Sequence, residues 1–91
     1  MNIGQAIVTI RKKKHMKQKM LAEKMGMSSN ALVALEKGQA WPSAATIGRL
    51  SAALDVPQSF ILLYAIDDND IPDTQKDIFK SLLEPLKEYL I

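Results

Sequence analysis

The chain has 91 residues, of which 47% are hydrophobic and 24% charged, and this suits one small domain with an appended element. It contains no cysteine, which excludes disulfides, thiolate metal sites and a cysteine nucleophile. No stretch approaches the roughly 20 apolar residues of a membrane span, and apolar residues precede the basic ones at the start, the reverse of a signal peptide. A soluble cytoplasmic protein is therefore expected.

The net charge of +2 conceals a large difference between the two halves of the chain. Residues 1–49 hold nine Lys and Arg against two acids, a balance of +7, whereas residues 50–91 hold three against eight, a balance of −5. This asymmetry indicates a basic, nucleic-acid-binding face on the first half.

The first predicted helix spans residues 2–14. Ile3, Ile7 and Ile10 give it one apolar side, and a basic run at residues 11–14 closes it. Those cations suit either the negative end of the helix dipole or DNA phosphates, and both interpretations remain open. His15 is the only histidine, so it has no partners for a metal site.

The central stretch, residues 18–35, is typical of two short helices joined by a tight turn. Leu21 and Met25 share a face with the small Ala22, and Gly26 suits a left-handed helix end. Ser28 suits the N-cap of the next helix, about residues 29–37, which buries Leu32 and Leu35. The outward side then holds Ser29, Asn30, Val33, Ala34 and Lys37. Ser and Asn can hydrogen-bond base edges, and Val and Ala can contact a thymine methyl; an ordinary helical hairpin is the alternative.

Residues from about 3 to 62 resemble the helix-turn-helix family of phage repressors, Cro proteins and Xre-type regulators. The matching residues are Arg11, Gln18, Leu21, Ala22, Lys24, Gly26, Ser28, Leu32, Leu35, Glu36 and Gly38, followed by Pro42, Ser43, Ile47, Leu50, Ala53, Leu54 and Val56. The resemblance implies an all-α, five-helix lambda-repressor-like domain, here with an appended C-terminal helix. It also implies a homodimer that binds a palindromic operator in double-stranded DNA, in a bacterial or phage setting and associated with the nucleoid.

The resemblance also implies roles for individual residues. Arg11 pairs with Glu36 and ties the first helix to the third, while Ala22, Gly26, Leu32 and Leu35 are structural; as an isolated surface pair, Arg11–Glu36 would contribute about 0–1 kcal/mol. The DNA-contact candidates are Lys13, Lys17, Gln18, Lys19, Ser28, Ser29, Asn30, Val33, Ala34, Lys37 and Gln39.

Four positions depart from the family pattern. His15 replaces a helix-ending glycine, and Lys17 replaces a capping residue. Val33 and Ala34 occupy positions where an arginine or glutamine would read a base, so base reading falls to Ser29 and Asn30, aided by DNA shape.

After the loop at residues 39–41, Trp41 is interpreted as an anchor at the edge of the core, with a DNA-backbone contact as the alternative. Ser43 is expected to cap a fourth helix at about 44–54, and Pro57 to lie in the first turn of a fifth. In the family this last helix often forms the dimer contact, which would use Phe60 and Ile61. These elements make up a predicted DNA-binding domain of residues 1–65.

Residues 66–73 form an acidic linker that lacks the glycine and spacing of a calcium loop. A helix over 74–91, capped by Asp73 or Thr74, carries an apolar stripe that includes Ile78, Leu82 and Leu86, and Pro85 is expected to kink or split it. This stripe could pack on its own domain, form a homodimer arm or bind another protein.

The sequence therefore predicts a dimeric, sequence-specific repressor without a cofactor or metal. The alternative is an antitoxin-like or other interaction module whose C-terminal helix binds a protein partner. An enzyme is not expected, because no group of residues has the pattern of a catalytic site.

Overall fold

Six α-helices follow one another in the computed structural model, which describes residues 1–90. They are α1 (Ile3–Lys13), α2 (Gln18–Met25), α3 (Ser29–Glu36), α4 (Ala44–Leu54), α5 (Gln58–Ala65) and α6 (Lys76–Leu90). Two 3₁₀ turns, Asp68–Asp70 and Asp73–Gln75, connect α5 to α6. No strand occurs within residues 1–90, which confirms the all-α class.

The core forms where α1 crosses α5 and α3, with α2 and α4 closing the other side. Its largest fully buried side chains are Ile7, Ile10, Leu21, Leu32, Leu50, Leu54 and Ile61. Gly4 allows α1 to approach the end of α3 closely, because a Cβ atom there would lie 2.5 Å from the carbonyl oxygen of Glu36. The first and third helices are thereby held in nearly direct backbone contact.

Local sequence signals set the helix ends. The Ser28 and Ser43 hydroxyls each accept a hydrogen bond from the third backbone amide beyond, both at 3.1 Å, as N-caps should. Gly26 ends α2 with φ +66°, and the Met27 amide donates to the Ala22 carbonyl at 3.0 Å. His15 has φ +57°, so a histidine occupies a left-handed conformation that glycine adopts more readily.

Two predicted boundaries are shifted. Pro57 lies just before α5 rather than in its first turn, and its carbonyl accepts from the Phe60 amide at 3.0 Å. The expected cap at Asp73 or Thr74 is replaced by a 3₁₀ turn, so α6 begins at Lys76.

Of the kink or split expected at Pro85, the split does not occur, since α6 runs unbroken from Lys76 to Leu90 with the proline inside it. Proline removes one backbone donor, and the helix can continue past one missing bond.

The acidic linker is ordered by its own side chains. Asp67 and Asp70 form a capping box, in which the Asp67 amide donates to the Asp70 carboxylate at 2.9 Å. That hydrogen bond, together with the Met1 amino group 2.8 Å away, holds the pKa of Asp70 below its usual value. Ile71 is buried beneath the turn, so the linker forms part of the folded structure.

Candidate nucleic-acid interface

α3 presents two chemically different sides. Leu32 and Leu35 are buried in the core, whereas Ser29 and Asn30 are exposed and Val33 and Ala34 are half-buried. Lys37 follows the helix and is also exposed. We call these outward residues, Ser29, Asn30, Val33, Ala34 and Lys37, the outer face of α3. The predicted DNA-reading residues are thus accessible rather than part of the core.

The turn between α2 and α3 is held from both sides. Leu21, Ala22 and Met25 are buried on the inner side of α2, and the small Ala22 lets the two helices cross closely. At the C-terminal end of α2, the Arg49 guanidinium donates to the Met25 carbonyl at 3.3 Å. The carbonyl end of α2 is thereby tied to α4, as the dipole of a helix end favours.

A buried polar network fixes α3 to α1. Arg11 donates to Glu36 through Nε at 2.8 Å and Nη2 at 3.3 Å, and through Nη1 to the Met16 carbonyl at 2.9 Å. Gln18 Nε2 donates to Glu36 Oε1 at 2.6 Å. The Arg11 and Glu36 side chains are only 10% and 4% exposed.

The Arg11–Glu36 pair is therefore present, but it is buried, so the figure of about 0–1 kcal/mol for an isolated surface pair does not apply to it. A bidentate Arg–carboxylate contact shielded from solvent has a fixed geometry. Removing one of its two partners would leave the other as an unpaired buried charge. Gln18 is half-buried and bonded to Glu36, so the network links the start of α2 to the end of α3. The network therefore sets the direction in which the outer face points.

Several further predicted contact residues are exposed close to the ends of α2 and α3 in the chain. Lys17 precedes α2 without a side-chain capping bond, as its chemistry predicted. The other exposed members of this group are Lys19, Ser28 and Gln39. They supply cationic and polar side chains suited to phosphate oxygens.

Lys13 lies apart from these residues. It borders a cleft lined by α1, α5, the start of the linker and α6, in which Glu84 and Glu88 are also present and to which α2 and α3 contribute no residue. The side of α1 that carries Lys13 is therefore not the side that faces α3. Helical periodicity alone could not decide this, because the position of α6 was unknown.

Two further interpretations of the sequence are wrong. Trp41 is 66% exposed, so it is not an anchor at the core edge. Ile61 is fully buried and cannot contact a dimer partner without unfolding, while its neighbour Phe60 packs partly against the same core. The exposed apolar residue on α5 is Leu62, which sequence reasoning missed because residues 60–63 are all apolar and give no periodic signal.

The described part of the chain offers little for other kinds of site. Among residues 1–90 no group of three or more His, Cys, Asp or Glu could hold a metal ion. No helix in this range is both long and apolar enough to cross a bilayer.

Comparison with known proteins decides the family. The sequence pattern of the helix-turn-helix family HTH_3 matches residues 7–59, which include most of α1, all of α2 to α4 and the buried network's charged pair. The chain belongs to this helix-turn-helix family. As a member it is a DNA-binding transcriptional regulator and not an enzyme.

A solved structure supports the assignment. The helix-turn-helix protein is similar to the restriction-modification controller protein C.AhdI from Aeromonas hydrophila, with a TM-score of 0.64 and 28% sequence identity. The likeness covers 66% of this chain and 91% of C.AhdI. No curated protein matches the sequence.

Proposed function

We propose that the protein is a repressor that binds a two-fold operator as a homodimer and reads the major groove with the outer face of α3. The observation that carries the proposal is the division of α3 into a buried side and an exposed polar side, with Ser29 and Asn30 at its exposed N-terminal end. In helix-turn-helix proteins the N-terminal residues of the second helix contact base edges. The likeness to a controller protein supports a regulatory role.

Asn30 is the residue best suited to direct reading. An asparagine amide can bond the N6 and N7 atoms of adenine together, a contact worth about 1–3 kcal/mol of discrimination. Ser29 can donate to or accept from either kind of base, and the methyl groups of Val33 and Ala34 suit thymine. Without an arginine at positions 33 and 34 the bidentate guanine contact is missing there, and we expect adenine and thymine contacts at those two positions.

Lys17, Lys19 and Lys37 would contact phosphates. Such contacts release counterions, so each one steepens the fall of affinity with salt by about 0.9 in log–log slope. They position the protein and carry no base information. In a dimer the two outer faces would lie about 34–36 Å apart, one helical turn of DNA.

Selection from a randomised duplex pool tests specific binding. We expect an enriched inverted repeat; steep, salt-dependent binding without an enriched motif would contradict the proposal.

Two substitutions separate the roles of the contact residues. Asn30→Ala should relax the preference at one base pair per half-site, because it removes an amide that reads an edge. Lys37→Ala should weaken binding to all duplexes about equally. It should also lower the slope of log affinity against log salt concentration by about one unit per half-site. The matched controls are Asn69→Ala and Lys80→Ala, which alter exposed residues of the linker and α6. Identical behaviour of the Asn30 and Lys37 variants would refute the division.

Repression requires only that the protein occupy the promoter. With the selected motif placed across a promoter, transcription in vitro should fall as protein is added. A rise in transcript would contradict repression and leave the operator-binding proposal intact.

A further inference from the structure

α6 exposes an apolar stripe. Ile78, Leu82, Leu86 and Tyr89 are 61%, 67%, 43% and 89% exposed. At 3.6 residues per turn they lie on one side of the helix, and no charged residue of α6 falls among them. We call these four residues the α6 stripe.

A different side of α6 contacts the domain. Leu83 and Lys87 are the half-buried residues there, and the Tyr64 hydroxyl donates to the Lys87 carbonyl. The Lys87 ammonium lies 5.7 Å from the centre of the Tyr64 ring, and Lys80 Nζ lies 3.7 Å from Asp68 Oδ2. α6 therefore contacts the domain through a side that carries both apolar and charged residues, and the stripe faces away from the core of its own chain.

The exposed apolar area is large enough for a contact between two copies. With about 150–250 Å² for a large side chain, the four exposed fractions and that of Phe79 amount to roughly 500 Å². Monomers rarely expose a larger apolar patch without a function for it. Two such patches packed together would bury about 1,000 Å², the lower bound of a specific interface.

The charges of α6 allow a second copy as the occupant. The helix carries three lysines and three acids, so two copies meet without net repulsion. By helical position the lysines and the acids all lie on the side of α6 away from the stripe; they are Lys76, Lys80 and Lys87, and Asp77, Glu84 and Glu88. Two stripes can therefore pack together with no charged residue of α6 between them.

We propose that the α6 stripe is the homodimer contact, with α6 packing against α6 of a second copy. The proposal rests on the homodimer of the proposed function and assigns its interface to the helix outside residues 7–59 that match the family. A leucine stripe at this spacing packs into the grooves of an identical helix. The same patch then covers both copies, as a two-fold contact requires.

Sedimentation equilibrium of the full chain tests the contact. Leu82→Glu should raise the dimer dissociation constant at least about 100-fold, because it removes a leucine from each side of the interface and brings a carboxylate there. Lys80→Gln makes the same change of one charge unit on the side of α6 away from the stripe and should leave the constant within about threefold of wild type. Circular dichroism should show both variants folded, since both positions are exposed.

Three outcomes would overturn the contact. If the wild-type protein remains monomeric at about 100 µM, the stripe does not pair with a second copy and binds another protein instead, as in an antitoxin-like module. A Leu82→Glu variant that dimerises like wild type removes α6 from the interface. Failure of Leu62→Glu to dimerise, with Leu82→Glu unaffected, would place the contact on α5.

Single cysteines test the contact further, because the chain has none of its own. In a parallel pair each stripe residue faces its counterpart, so Ile78→Cys and Tyr89→Cys should both give disulfide-linked dimers on oxidation; in an antiparallel pair centred on Leu82, only Leu82→Cys should do so. Glu84→Cys, on the side of α6 away from the stripe, should not cross-link in either arrangement. Absence of cross-linking at all three stripe positions would refute the contact. A stable dimer that selects no duplex would refute the proposed function and leave this interface standing.

Discussion

Substituting Glu36 should show, from the loss of folding stability, whether its pair with Arg11 behaves as a buried network or as a surface ion pair. Glu36→Gln keeps the size and one acceptor oxygen of the side chain but removes its charge. Arg11 would then stay buried, with a guanidinium that faces an amide and the Met16 carbonyl. Gln18 would also be deprived of a carboxylate acceptor at 2.6 Å.

The expected cost follows from the burial of the pair. Breaking a buried ion pair by removing one partner costs about 3–5 kcal/mol, against about 0–1 kcal/mol for an exposed pair. Because the glutamine still accepts one hydrogen bond from Arg11, we expect about 2–4 kcal/mol. This is a large fraction of the roughly 5–15 kcal/mol that stabilises a small domain.

Urea unfolding followed by circular dichroism measures the decrease in stability. Arg11→Met combined with Glu36→Leu serves as the comparison, because removing both charges should cost less than removing either one. Leu82→Glu or any other change on α6 should not alter the energetic coupling between Arg11 and Glu36, since α6 contributes nothing to their network. A decrease below about 1 kcal/mol for Glu36→Gln would refute the reasoning and show that the pair behaves as if solvated.

Three further predictions follow from single residues. His15→Gly should stabilise the fold by up to about 1 kcal/mol in the same urea assay, because glycine adopts φ +57° without a Cβ penalty; destabilisation would mean that the imidazole makes a contact of value. Trp41 is the only tryptophan and is 66% exposed, so its fluorescence should change when duplex binds beside the loop after α3, and Trp41→Ala should weaken binding about fivefold, near the value of one hydrogen bond. An unchanged spectrum at saturating duplex would place the loop away from DNA. Tyr64→Phe should speed hydrogen exchange of the α6 amides by about five- to tenfold while leaving α1 unchanged, because it removes the hydroxyl that holds Lys87; equal rates in both proteins would show that α6 is held by other contacts.

The local order of the chain determined much of the DNA-binding domain. A capping serine, a left-handed glycine and an apolar repeat of three to four residues each act over a few residues of the chain. Ser28, Gly26 and the Leu32–Leu35 pair therefore specify their helices independently of the tertiary structure. The same signals assigned the outward residues of α3, because a side chain that is not on the apolar side of a surface helix faces water. The Arg11–Glu36 pair came from the family pattern rather than from spacing.

Tertiary packing decided what local order could not. Burial turned Arg11 and Glu36 from a surface pair into an interior network, and α5, apolar on every side, gave no periodic signal that would separate the buried Ile61 from the exposed Leu62. The path of the chain placed Lys13 beside α6 and left Trp41 in solvent. The stripe of α6 was visible as a pattern, but only the docking of the opposite edge on Tyr64 showed that the stripe faces outward. The physical reason is common to all of these: periodicity fixes which residues share a side of a helix, whereas the partner of that side depends on contacts between residues far apart in the chain.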